Sequence, residues 1–90
     1  MKYQEPKTMI AFLKKAQEAQ IKVAEINDGH CIHIDQSSHG NWQEEGYHMC
    51  FDVTLFDGTD LVNSWDFNAM DDIDELNHTI EDLFFQIGRL

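Results

Sequence analysis

Basic residues are scarce in this 90-residue chain, and nearly all of them lie in its first half. Six Lys and Arg stand against 17 Asp and Glu, which gives a formal net charge of −11. Beyond residue 43 the only basic residue is Arg89, so the whole negative excess falls on the second half. A field of this sign repels nucleic acid and anionic membranes and attracts basic proteins. We therefore expect no direct nucleic-acid binding and no membrane binding.

Long apolar runs and a secretion signal are also lacking. No stretch of the sequence approaches the roughly 20 apolar residues of a membrane span. Two cysteines in a chain without a secretory leader favour reduced thiols in a cytosol. The expected location is the cytoplasm, which would be the host cytoplasm if the gene belongs to a phage.

The stretch Tyr47–Phe67 carries the clearest structural signal. Apolar residues occupy most of its odd positions and polar residues most of its even ones, and an Asp57-Gly58 pair interrupts the pattern. Such alternation broken by Asp-Gly predicts an antiparallel hairpin. If the odd-numbered residues of both strands are to face the core, the loop between the strands must have an odd number of residues, with Gly58 in the left-handed region. Leu61 and Trp65 then lie on the core face.

Two segments have the spacing of amphipathic helices. The first begins near Pro6. Its spacing allows it to run on to Ile26, but we expect it to end near Gln20, because residues 21–26 are richer in β-branched residues and lead into a turn-forming Asn-Asp-Gly. The second follows Asp72, whose spacing to Glu75 matches a capping box. Its predicted core stripe is Ile73, Leu76, Ile80, Leu83 and Ile87.

Together these elements predict a single α+β domain over residues 1–90. The segment 21–26 is taken as a strand that pairs with a second strand from residue 30. The expected architecture is a two-layer sandwich in the order α-β-β-β-β-α, with an antiparallel sheet of three to four strands and two helices on one face.

Four residues, Cys31, His33, His48 and Cys50, have metal-ligand chemistry. A turn at Gly40-Asn41 would place Cys31 opposite Cys50 and His33 opposite His48, which are the ligand types of a structural zinc site. Side chains standing parallel on a flat sheet do not converge tetrahedrally, so no metal and no cofactor is expected. A disulfide in the same register is disfavoured by a reducing compartment.

Catalytic motifs are absent from the sequence. It contains no nucleophile elbow, no glycine-rich phosphate loop and no twelve-residue calcium loop. A chain of this size also leaves little room for an enclosed pocket. We therefore expect a protein that is not an enzyme.

Acidic residues instead form the candidate partner-binding surface. They lie in the polar stretch 37–46, at the hairpin tip and at the start of the second helix, where they favour the positive end of the helix dipole. Trp42 is an apolar anchor for a partner or, alternatively, packs against the sheet. The predicted set is Glu44, Glu45, Asp57, Asp60, Asp71, Asp72, Asp74, Glu75 and Trp42.

In size, charge and expected location, the chain resembles the general type of small phage-encoded inhibitors, which includes nucleic-acid mimics and anti-CRISPR proteins. The resemblance implies an acidic protein that occupies the nucleic-acid groove of a basic partner. Two alternatives stay open. One is an immunity or antitoxin protein that neutralises a basic toxin, and the other is a small metal-binding or structural domain that forms a homodimer through its outer sheet face.

Overall fold

The computed structural model describes residues 3–39 and 48–90 as two helices and one antiparallel sheet of order β1-β2-β3. The α+β class and the antiparallel sheet, with three strands of the predicted three to four, are confirmed, but these residues form α-β-β-β-α and lack the fourth strand of the predicted order α-β-β-β-β-α. The elements are α1 (Pro6–Ile26), β1 (His30–His39), β2 (His48–Asp57), β3 (Asp60–Asn68) and α2 (Ile73–Ile87).

The predicted first strand is the last part of α1. The helix does not end near Gln20 but continues through residues 21–26. Ala19 and Val23 are fully buried and four positions apart, so the helical spacing of core residues runs on past the predicted end. Burial of this face outweighs the strand preference of β-branched residues such as Ile21, which is 57% exposed.

The Asn-Asp-Gly signal is a helix end and not a hairpin turn. Asn27 has φ 55° and ψ 44°, the left-handed conformation in which many helices end. Gly29, with φ 96°, then turns the chain into β1. The Gly29 carbonyl accepts a hydrogen bond from the Gly58 N–H at 2.9 Å, which joins this turn to the one between β2 and β3.

The turn between β2 and β3 has two residues. Gly58 has φ 62°, which confirms its predicted left-handed conformation. Asp57 pairs with Asp60, so the predicted odd-numbered loop is wrong.

A bulge in the β2–β3 ladder restores the parity of the core face. The register shifts between Leu55 and Phe56, which pair with Asn63 and Leu61. As a result Trp65 faces the core at 6% exposure, as predicted. Leu61 is 64% exposed, so its predicted core position is wrong.

Both helices pack on the same face of the sheet, with α1 against β1 and β2 and α2 against β3 and α1. The rings of Phe51 and Phe67 stack at the centre with centroids 4.6 Å apart and an interplanar angle of 8°. Phe12 of α1 lies 6.2 Å from the Phe67 ring. Around them the buried core includes Met9, Ala16, Ala19, Val23, Ile32, Val53, Leu55, Trp65, Leu76, Ile80, Leu83 and Ile87.

Helix α2 buries the predicted stripe except for its first member. Ile73 is 45% exposed. It lies at the helix start, where residues 72–75 are all exposed. The predicted core position of Ile73 is therefore wrong.

The two helices run in the same direction. Gln4 donates hydrogen bonds to the carbonyls of Ala69 (2.7 Å, from its backbone) and Asp71 (3.0 Å, from its side chain), which ties the start of α1 to the start of α2. Beyond the middle of both helices, the Lys22 ammonium lies 5.2 Å from the centre of the Phe84 ring. The positive ends of both helix dipoles therefore lie at the same end of the molecule.

Candidate functional site

The sheet face that points away from the helices, which we call the outer face, carries three aspartates in register. Asp35 pairs with Asp52, and Asp52 pairs with Asp66, so the three residues cross β1, β2 and β3 in one line. All three are exposed. Directly paired Cβ atoms lie about 4.5–5.5 Å apart, so this aspartate row spans roughly 10 Å.

The strands that carry the aspartate row contain no side chain with a permanent positive charge. Neither Lys nor Arg occurs in β1, β2 or β3, and Lys7, Lys14, Lys15 and Lys22 all belong to α1 in the other layer. Among the described residues, no ion pair joins a lysine of α1 to an acid of the second half. Like charges directly opposite each other in neighbouring strands repel, which is a destabilising interaction in a sheet.

The four acids predicted at the start of α2 do lie there, and one of them has a structural role. The Asp72 carboxylate caps the helix by accepting a hydrogen bond from the Glu75 N–H at 2.8 Å, which confirms the predicted cap. The charges of Asp72 and, to a smaller extent, Asp71 raise the pKa of the Glu75 carboxyl. The helix dipole offsets part of this repulsion.

The cap can be separated from the charge of Asp72 by substitution. Asp72→Ala should lower the free energy of unfolding by about 1 kcal/mol, because the Glu75 N–H loses its acceptor. Asp72→Asn keeps the acceptor oxygen and should stay within a few tenths of a kcal/mol of wild type. Urea denaturation measures both, and equal destabilisation by the two variants would contradict the capping role.

The repulsion at Glu75 predicts a pH-dependent difference in stability. Its pKa is raised in the folded state, so the stability linked to this group is present at low pH and is lost as the pH rises through that pKa. Glu75→Gln should therefore be more stable than wild type at neutral pH, and the difference should vanish as the pH falls through the range in which glutamates titrate.

Thermal melts of both proteins between about pH 7 and pH 3 measure this difference. Hydrogen bonds from His30 lower the pKa of Asp28, so that group loses its stabilising contribution as the pH falls. Asp28 is the same in both proteins, so its effect cancels in the comparison. A difference that grows toward low pH would contradict the assignment.

The acids at the β2–β3 turn lie at the other end of the sheet. Asp57 Oδ2 is 4.0 Å from His30 Nε2, and His30 Nδ1 is 2.8 Å from Asp28 Oδ1. Strand β3, with nine residues and a length of roughly 27 Å, separates Asp60 from the start of α2. The structure therefore does not bring the predicted acids of these two ends into one patch.

Three predicted contact residues, Trp42, Glu44 and Glu45, lie outside the described residues. Their role in binding stays a prediction.

The predicted pairing of the cysteines and histidines is wrong. Cys31 pairs with Phe56 and His33 with Thr54, because the β1–β2 register, which runs to a pair between His39 and His48, is shifted by six residues from the predicted one. Cys50 lies six residues further along the ladder from the partner of Cys31, which is roughly 20 Å.

Both thiols are free. Cys31 is exposed, whereas Cys50 is buried with its Sγ 3.5 Å from Asn68 Oδ1. Within residues 3–39 and 48–90, no group of three or more His, Cys, Asp or Glu side chains is arranged to hold a metal ion.

Sequence reasoning did not select the aspartate row as a site. Asp35 and Asp52 can be assigned to the outer face from alternation alone, but their alignment depends on a register that the sequence of the stretch 37–46 between the two strands does not fix. If residues are paired outward from the Asp57–Asp60 turn, Asp52 lies opposite Asp66 only when the bulge is included. A signal that could have found it is the absence of Lys and Arg from all three strands.

One further acid has a structural partner that sequence reasoning missed. Asp82 of α2 accepts a hydrogen bond from the buried Trp65 Nε1 at 2.7 Å. A buried indole N–H needs such an acceptor, so Asp82 ties α2 to β3.

Neither helix of the described chain has the length and apolar character that a bilayer span requires. The sequence matches no protein-family model, and neither a curated protein nor a solved structure shows significant similarity to it.

Proposed function

We propose that this chain is a small, non-enzymatic interaction protein that binds a basic, nucleic-acid-binding partner and blocks its nucleic-acid site, as phage-encoded nucleic-acid mimics do. The observation that carries the proposal is the aspartate row, Asp35, Asp52 and Asp66, aligned on an exposed sheet face whose strands contain no Lys or Arg.

The spacing of the row suits a site built for a phosphate backbone. The Cβ atoms of neighbouring aspartates on paired strands are about 5 Å apart, and successive phosphates of one DNA strand advance about 3.4 Å along the helix axis, so both arrays place successive charges a few Å apart. Because the ladder fixes the strands, the carboxylates do not have to be ordered when a partner binds. A pre-ordered array of anions can therefore replace phosphates at low entropic cost.

The remaining negative charge would act at longer range. The formal net charge of −11 on 90 residues produces a field that accelerates encounter with a basic surface and that salt screens. The acids at the start of α2, Asp71, Asp74 and Glu75, add to this field. They do not share a row with the outer face, so we assign them to steering and not to the central contact.

Capture of proteins from a bacterial lysate tests the proposal. The immobilised wild-type protein should retain nucleic-acid-binding proteins at low salt, and added duplex DNA should release them. The variant Asp35→Asn, Asp52→Asn, Asp66→Asn should retain far less of the same proteins.

A matched variant separates the row from net charge. Glu5→Gln, Glu18→Gln and Glu25→Gln also remove three negative charges, at exposed positions at or within α1. This control should capture as wild type does. Equal loss in both triple variants, or retained proteins that DNA does not release, would contradict the proposed function.

A further inference from the structure

A second row of side chains on the outer face is apolar. Cys31 pairs with Phe56, and Phe56 pairs with Leu61, at the end of the sheet near the β2–β3 turn. Leu61 is 64% exposed, and the adjacent Val62 is 51% exposed. The His33 ring packs edge-on against Phe56, with centroids 5.2 Å apart and an interplanar angle of 73°.

The bulge creates this apolar surface. It moves Leu61 from the core parity to the outer face, opposite Phe56. In most sheets a bulge helps to protect an edge strand from pairing, but here it also leaves two large aliphatic side chains exposed on the same strand. The chain thus exposes apolar area that its own core does not cover.

The apolar row and the aspartate row lie at a fixed distance. Four residues of β2 separate Phe56 from Asp52, which is roughly 13 Å along the strand. Between them lies one row of smaller or polar side chains, His33, Thr54 and Ser64. The outer face is therefore apolar near the β2–β3 turn and anionic further along.

We propose that the outer face docks a basic segment of the partner that also carries an apolar side chain. This inference rests on the proposed function and adds the partner's chemistry. Lys or Arg side chains would contact the aspartate row, and an apolar side chain roughly 13 Å away would pack on Phe56, Leu61 and Val62. The two contacts together fix the orientation of the segment, which charge alone does not.

Charge complementarity selects this occupant over a second copy of the chain. A face-to-face homodimer through the outer face would bring six carboxylates from two aspartate rows together, with no Lys or Arg on either sheet to compensate. Like charges juxtaposed across an interface strongly disfavour association. A basic segment replaces this repulsion with attraction to the aspartate row, and its apolar side chain still covers the apolar row.

Two synthetic peptides of equal length and charge test the inference. The first, the Lys–Leu peptide, carries Leu four residues from Lys, which is roughly 13 Å along an extended chain and on the same side of it, and the second, the Lys–Ser peptide, has Ser in place of every Leu. Wild type should bind the Lys–Leu peptide at least about tenfold more tightly than the Lys–Ser peptide, and this ratio should persist at high salt, because both peptides carry the same charge and screening weakens their charge contacts equally. Isothermal titration calorimetry at low and high salt measures both affinities.

Matched single variants assign the apolar contact. Leu61→Ser should lose most of the preference for the Lys–Leu peptide while binding the Lys–Ser peptide as wild type does. Ile21→Ser removes an aliphatic side chain of similar exposure, 57% on α1, and should keep the preference. Equal affinity of wild type for the two peptides, or equal behaviour of the two variants, would overturn the inference.

Failure of the proposed function would give a different result. If replacing the three aspartates of the row with Asn leaves binding of the Lys–Ser peptide unchanged, the row is not a cation-binding surface and the proposed function fails. A wild-type dimer in light scattering that Leu61→Ser dissociates would show that the outer face joins two copies, and it would overturn the docking inference alone.

Discussion

Replacing Phe67 with alanine is expected to lower the free energy of unfolding by about 3–5 kcal/mol. The side chain is 1% exposed, stacks on Phe51 at 4.6 Å between centroids and also contacts Phe12 of α1. Truncation would open a cavity at the point where the sheet meets a helix. Small domains have about 5–15 kcal/mol in total, so this loss would remove a large part of the stability of the protein.

Urea denaturation followed by circular dichroism measures this loss. Phe85→Ala is the matched control, because Phe85 is 61% exposed on α2 and its removal should change the free energy of unfolding by less than about 0.5 kcal/mol. Similar midpoints for Phe67→Ala and wild type would show that the stacked pair is not the centre of the core.

Reversing the charge of the aspartate row is expected to weaken binding to a captured basic partner by at least about 100-fold, or about 2.7 kcal/mol. The variant Asp35→Lys, Asp52→Lys, Asp66→Lys replaces three attractive contacts with three repulsive ones on the same rigid strands. Like-charge juxtaposition at an interface costs several kcal/mol, so this figure is a lower bound.

The matched reversal Glu5→Lys, Glu18→Lys, Glu25→Lys makes the same change in net charge away from the sheet. It should weaken binding only slightly and only at low salt, through the loss of long-range attraction. Affinities measured by calorimetry at several salt concentrations separate the two effects. Equal weakening by both reversals would mean that net charge, and not the row, determines binding.

Local patterns in the sequence predicted much of this fold. The Asp57-Gly58 turn and the capping of α2 by Asp72 both depend on residues within a few positions of one another. Such signals are strong because turn chemistry and side-chain period act over short distances.

The errors arose where the tertiary structure decided between two local preferences. Residues 21–26 have strand-forming side chains, but burial of Val23 against the sheet keeps them helical. By alternation alone Leu61 belongs to the core face, but a bulge that no local sequence pattern predicts leaves it on the outer face.

The candidate site was less predictable than the fold for the same reason. Its three aspartates are 17 and 14 residues apart in sequence and meet only through two strand registers. One register crosses a polar stretch that allows many turns, and the other contains the bulge. Clusters of acids in sequence, such as the start of α2, were easier to see, but there helix capping explains part of the charge.

A competition titration tests the central claim most directly. Labelled duplex DNA is bound to a purified DNA-binding protein that the wild type captures, and the acidic protein is added while the anisotropy of the label is followed. We predict that wild type and the Glu5, Glu18, Glu25→Gln control displace the DNA, whereas the Asp35, Asp52, Asp66→Asn variant does not. Equal displacement by the Asn variant, or a partner that holds DNA and wild type at once, would contradict the account.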